Sequence, residues 1–262
     1  MFDPSAPLPP PRPGTARAAV AAGSASFESG KLLGEAFAIY FSNFIPFLIL
    51  TTLALSPLFL FQALMFDSIS RRDPGSILVA ALGVIVAAVL CTQIATGAIT
   101  YGVFQQMRGG DTSIAACLKV GVAVLLPVLG VAFLQGCAVI AGIIFLVIPG
   151  IILAIMYSVS VPAAVEERPG VLEALRRSAS LTEGYRWPIF GVFFLITLLS
   201  YGLQRLLEVF FEDDMSRGAF LASGAVNVVT TGLYATAAAV IYYRLRSIKE
   251  SIDVDQIASV FD

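Results

Sequence analysis

Residues 120–165 read VGVAVLLPVLGVAFLQGCAVIAGIIFLVIPGIILAIMYSVSVPAAV, 46 positions without one Asp, Glu, Lys or Arg. A helix crosses a bilayer with about 20 apolar residues at about 1.5 Å rise each. The stretch is therefore long enough for two crossings, and Pro149-Gly150, a pair that breaks helices, reads as the turn between them. Its apolar residues are continuous rather than alternating with period two, which disfavours an outer-membrane barrel. A transmembrane helical hairpin is the reading that decides the fold class.

Other charge-free intervals lie on either side, at 36–66, 74–107, 187–204 (continuing past Arg205) and 218–243. Together they predict six spans, near 44–65, 77–101, 122–147, 150–165, 188–209 and 219–243, in an all-α polytopic membrane bundle. The composition agrees. Of 262 residues, 58% are hydrophobic and 13% charged, against about 45–50% and about 25% in soluble domains. A net charge of −2 leaves no excess of cations for nucleic acid. The chain has no histidine, the usual general base, proton shuttle and metal ligand. Cys91, Cys117 and Cys137 lie in or beside apolar runs, not in C-x-x-C pairs, and read as small core residues. No catalytic group, cofactor or metal site is expected.

Residues 1–26, rich in Pro, Ala, Gly and Ser, read as a disordered tail with no cleaved signal peptide. Pro7 to Pro13 read as solvated linker, with a polyproline docking segment as the alternative. The six-span domain covers 27–247, and a short tail covers 248–262. Twelve basic residues fall on the side of the N-terminus (Arg12, Arg17, Lys31, Arg108, Lys119, Arg168, Arg176, Arg177, Arg186, Arg244, Arg246, Lys249), and Arg71, Arg72, Arg205 and Arg217 on the other. This bias predicts cytoplasmic termini.

Three segments preceding spans one, three and five share a pattern: a small or hydroxyl-rich start, an amphipathic stretch with Ala36, Ala116 or Ala174, then Pro46, Pro127 or Pro188 at the head of the span. They predict three repeats, each an interfacial cytoplasmic helix followed by a hairpin. The alternative is that any segment leading into a membrane looks alike. In the third, helical from about Gly170 to Thr182, Val171, Leu172, Leu175 and Ala179 form an apolar face on the inner leaflet, with Glu173, Arg176 and Arg177 opposite. Arg176, Arg177, Arg186, Trp187, Arg244 and Arg246 are the candidate lipid- or partner-contacting residues. The competing reading pairs Arg176, Arg177 and Arg186 with Glu166, Glu167 or Glu173.

The stretch 149–191, with Pro149-Gly150, Pro162, Glu173-Ala174-Leu175-Arg176-Arg177-Ser178 and Leu181-Thr182-x-Gly184, resembles the membrane domain attached to some bacterial glycerophosphoryl diester phosphodiesterases. Tyr242, Tyr243, Arg244, Arg246, Lys249, Glu250 and Asp253 look like that family's ending, so the resemblance spans roughly 27–255. Tyr157 and Ala179 depart from it, standing where such sequences often carry a basic and an aromatic residue. The family's catalytic barrel, with its carboxylates and histidines, has no counterpart here, so phosphodiesterase activity is not implied. The resemblance implies a six-span domain of the bacterial inner membrane that accompanies lipid or envelope processes.

Span centres hold no ionisable residue, Arg205 and Glu208 lying near the outer end of span five, which argues against an ion-coupled carrier. Ser223, Asn227, Thr231 and Ala235 recur every fourth residue, as do Thr92, Thr96 and Thr100; such stripes read first as close helix packing. A polar path would instead run past Gln93, Gln135 and Asn227, with Gln62 a further candidate. Pro149-Gly150 could also open a broken-helix site, a reading secondary to the turn. The acidic run Glu208, Glu212, Asp213, Asp214 reads as solvation rather than a cation site. The expected function is a non-enzymatic membrane protein that organises lipids or partner proteins, with a passive or lipid-moving transporter as the alternative.

Overall fold

The computed structural model describes residues 29–70, 74–110, 113–168, 170–210 and 217–258. The tail at 1–26 and the acidic positions Glu212, Asp213 and Asp214 lie outside them. The helices are α1 (Ser29–Ser42), α2 (Phe44–Ser70), α3 (Pro74–Met107), α4 (Ile114–Ala123), α5 (Leu125–Phe145), α6 (Val147–Met156), α7 (Ser160–Glu166), α8 (Val171–Thr182), α9 (Arg186–Phe210) and α10 (Arg217–Ala258). Proline sets many of the starts. Pro46, Pro127, Pro149, Pro162 and Pro188 are each the third residue of a helix, where the missing N–H has no intrahelical acceptor to lose.

Six segments are long and apolar enough to cross a membrane: Phe44–Leu64, Ile77–Met107, Leu125–Phe145, Val147–Glu166, Arg186–Leu207 and Gly218–Glu250. The chain is thus an all-helical, multi-pass membrane protein. In order along the chain, a short helix (α1, α4, α8) precedes each pair of spans. The last span is the axis of the bundle. Of its most apolar window 61% is buried, against 11–33% in the others, and α10 packs on α1, α2, α3, α7, α8 and α9.

The chain turns elsewhere than at Pro149-Gly150. It reverses at the single extended residue Leu146 (φ −166, ψ 144), and the proline pair lies in the first turn of α6. Gly150 is what the tight hairpin requires. A Cβ there would stand 2.9 Å from Ile143 N, and one on Gly142 would stand 2.9 Å from Gly150 Cα. The fourth span is also broken, between Met156 and Ser160. Pro162 explains the break, because its ring opposes the carbonyl four residues back, at Ser158, and offers that carbonyl no N–H.

Helix α8 starts after Gly170 (φ 95) and packs one face against the bundle. Ala174, Leu175, Ser178, Leu181 and Thr182 face inward, whereas Leu172 is 62% exposed. The face is chosen by hydroxyls: Ser178 and Thr182 donate to Met156 O at 2.8 and 3.2 Å, satisfying a carbonyl left over at the broken span.

Candidate functional site

Two regions carry the polar chemistry. The first is an ionic belt at the end of the bundle formed by the end of α3, the α7–α8 connection and the last turns of α10. Glu166, 8% exposed, receives Arg108 from the end of α3 and Arg246 from α10 at 3.4 Å. Glu167 accepts from Arg177 at 3.0 Å and from the Tyr242 hydroxyl at 2.6 Å. Arg177 also reaches Glu250 at 2.9 Å, and Arg246 reaches the same carboxylate at 2.8 Å. Arg244 grips Glu35 of α1 with two bonds of 2.7 and 2.9 Å, and Lys249 donates to Ser180 O. Burial lowers the Arg177 pKa, but the hydrogen bond and charge of Glu167 outweigh it and hold the guanidinium above its ordinary value.

The candidate contact residues therefore divide. Arg177, Arg244 and Arg246 are engaged inside the belt. Arg176 and Trp187 point outward, the first 77% exposed and 3.6 Å from Glu173, the second 80% exposed with its ring edge-on to Phe190. Arg186 is half-buried, and its Nε has no hydrogen-bond partner among the described residues. In α1, burial pushes the Tyr40 hydroxyl up to about 12; its ring fills the space opposite Gly232 of α10, where a Cβ would stand 2.8 Å from it.

The second region is a set of cavities along α10, outside the belt. One, of about 440 Å³, is lined by Leu58, Phe59, Gln62, Val84, Gln204, Phe220, Ser223, Gly224 and Asn227. Four uncharged polar side chains from α2, α9 and α10 thus meet at one place. An apolar cavity of about 500 Å³ adjoins it, sharing Phe59, Phe220 and Gly224 and running along α2 and α10 to Leu48 and Phe44. A third, of about 350 Å³, lies in the seam of α3 and α10 among Thr92, Thr96, Thr230, Thr231, Tyr234 and Ala235. The two hydroxyl stripes of the sequence face one another here, while Thr96 and Thr230 also satisfy carbonyls of their own helices.

The three residues expected along one polar path are not brought together. Asn227 joins Gln62 in the first cavity. Gln135 of α5 has its Oε1 2.9 Å from the Ser160 hydroxyl at the broken span, and Gln93 of α3 is half-buried outside the three cavities. Gln204 is the polar member that sequence reasoning missed; its signal was an amide within an otherwise apolar span. Cys91 and Cys117 are buried and Cys137 is exposed. Among the described residues, no three His, Cys, Asp or Glu side chains come together as metal ligands.

No protein-family model, curated protein or solved structure matches the chain.

Proposed function

We propose that this is a non-enzymatic membrane protein that organises lipid, holding a lipid molecule in the groove between α2 and α10. The observation that carries this reading is the paired cavity: an uncharged polar end at Gln62, Gln204, Ser223 and Asn227 opens into an apolar channel past Phe59 toward Phe44. That is the pattern of an amphiphile. The amides and hydroxyl offer donors and acceptors to ester, glycerol or phosphate oxygens without fixing a net charge, and the channel offers an acyl chain an apolar lining to pack against. Lysine and arginine bias supports cytoplasmic termini, and the resemblance to a bacterial membrane domain supports an inner-membrane location. In that orientation Arg176 and Trp187 meet the inner-leaflet headgroups, where a basic residue contributes about 1 kcal/mol.

The test is lipid analysis of protein extracted gently from its own membrane, comparing wild type with Gln62→Ala/Asn227→Ala by native mass spectrometry. A stoichiometric lipid on the wild type, lost or much reduced in the double variant, is the expected result. Equal lipid occupancy in both overturns the assignment of this groove.

A second reading, movement of lipid between leaflets, has its own observation. The hydroxyl-lined cavity lies on the α3–α10 seam about 12 Å along α3 from the amide cavity, counting from Val84 to Thr92. Polar groups thus recur at two depths along one seam. Vesicles containing the protein should then exchange fluorescent lipid between leaflets faster than empty vesicles, and Thr92→Val/Thr231→Val should slow the exchange. No difference from empty vesicles removes this reading.

A further inference from the structure

The middle hairpin ends in a tip unlike an aqueous loop. From Gly136 to Met156 the sequence has no charged, amide or hydroxyl side chain. At the reversal Ile143, Ile144, Phe145, Leu146, Val147 and Ile148 are 49–85% exposed. The other two hairpins connect through charged sequence, with Asp67, Arg71, Arg72 and Asp73 in one and Glu212, Asp213, Asp214 and Arg217 in the other.

Length gives an independent argument. Glu166, in the ionic belt, is 20 residues from Leu146, about 30 Å at helical rise. From Arg108 of the belt to the start of α3 at Pro74 is 34 residues, and from Arg246 to the start of α10 at Arg217 is 29, about 51 and 44 Å. The hydrocarbon of a bilayer is about 30 Å thick. The flanking helices reach through it, and the middle hairpin stops about 14 to 21 Å short of their ends along their axes.

Part of the tip's backbone is paired or lacks a donor. A helix start normally presents four unpaired N–H groups, which are costly in hydrocarbon. Here two of the four positions are accounted for: Pro149 has no donor, and Gly150 N bonds to Leu146 O at 3.4 Å. The reversal itself uses one residue, and Leu146 N bonds to Gly142 O at 3.0 Å.

We infer that the α5–α6 tip, centred on Phe145 and Leu146, is a membrane-immersed contact surface whose partner is the acyl chains of the leaflet farther from the ionic belt. The third and fourth spans form an immersed hairpin that does not emerge into water. This stands on the tip alone and does not depend on the lipid groove.

The experiment uses the full chain with Cys91→Ala, Cys117→Ala and Cys137→Ala, carrying either Leu146→Cys or Glu183→Cys, in phosphatidylcholine/phosphatidylglycerol vesicles. Glu183 is exposed at the end of α8. A membrane-impermeant maleimide is added to vesicles made permeable to it. Position 146 should label at least tenfold more slowly than position 183 and fully after denaturation, and a nitroxide there should collide with oxygen far more than with a water-soluble nickel complex. Labelling at 146 as fast as at 183 overturns the proposal. So does a nitroxide shielded from both colliders, which would mean that protein, a second copy included, covers the tip. Where the cysteine replacements prevent folding, Leu146→Trp/Trp187→Phe leaves one tryptophan at the tip. Quenching of its fluorescence by lipids brominated along the acyl chain supports the inference, and quenching by aqueous iodide alone overturns it.

Discussion

Removing the hydroxyls of Ser178 and Thr182 tests what holds the broken span together. In the wild type Met156 O receives Ser178 at 2.8 Å and Thr182 at 3.2 Å, but the Thr182 hydroxyl also lies 2.9 Å from Ser178 O in its own helix. The Thr182 proton is shared with this nearer acceptor, so Ser178 is the principal donor to Met156 O. Both side chains are fully buried, and water does not readily replace them. Ser178→Ala should therefore cost about 1–2 kcal/mol, near the cost of an unsatisfied buried acceptor, and Thr182→Val about 0.5–1 kcal/mol. The double variant should lose about 2–3 kcal/mol, the most that one orphaned carbonyl carries. At about 2–4 °C per kcal/mol for a chain of this size, the melting temperature falls by roughly 4 to 12 °C. Cys91 and Cys117 are buried and Cys137 is exposed, so in a Cys137→Ala background a thiol-reactive fluorophore reports unfolding in detergent. An unchanged melting temperature in the double variant would refute the claim that these hydroxyls select the inward face of α8.

Three other substitutions probe separate parts of the argument. Arg177→Ala leaves Glu167 and Glu250 without a shared cation and should destabilise by about 1–3 kcal/mol, whereas Arg176→Ala, in an exposed pair with Glu173, should change stability by no more than about 0.5 kcal/mol; equal melting shifts would contradict the division of the arginines. Gly150→Val places carbon against the backbone of Ile143 and should cost about 1–3 kcal/mol by forcing the hairpin apart, while Gly136→Ala, which meets nothing within 4 Å, should not; the same thermal assay compares them. Burial raises the Cys117 thiol from 9.0 to about 11, so at pH 8 it carries about a hundredfold less thiolate than an ordinary thiol, and its alkylation should climb about tenfold per pH unit until the thiolate dominates. Mass-spectrometric counting of alkylated sites with and without denaturant checks this, and rapid labelling of Cys117 in the folded protein at pH 8 would contradict it.

The spans were legible because their signal is redundant: each is an interval of some 20 apolar residues, and losing one cue leaves the others. Prolines marked helix starts for the same physical reason at Pro46, Pro127 and Pro188, and that reason extended to Pro149. The sequence reading treated Pro149-Gly150 as a turn because proline ends helices as well as beginning them. Local sequence does not distinguish the two uses; the close contact of Gly142 with Gly150 does. The burial of Ser178 and Thr182 was not legible in α8 alone, because the carbonyl that draws Ser178 inward belongs to Met156, 22 residues away. Gln62 and Asn227 were visible as isolated amides in apolar spans. Their meeting with Gln204 depends on the angle between helices from opposite ends of the sequence, which no local pattern contains.

Stability and openness are unevenly distributed along the bundle, and this bears on how a lipid would enter the groove. The larger buried cluster joins Tyr40, Phe104, Leu181, Tyr242 and Leu245 beneath the ionic belt, whereas among the described residues the other half has Leu55, Leu58, Cys91 and Val228 as a small second cluster. The amide cavity lies at that second cluster, sharing Leu58. Separating α2 from α10 there breaks none of the belt's ion pairs, which bind α10 to α1, α7 and α8 and the end of α3 to α7. Local opening is least costly where few buried apolar contacts must be lost. Pro57 interrupts the hydrogen-bond ladder of α2 within this same half, so bending of α2 about it is the least costly route by which the groove could widen. A belt that holds one end while the other end yields is what a site filled from within the bilayer requires.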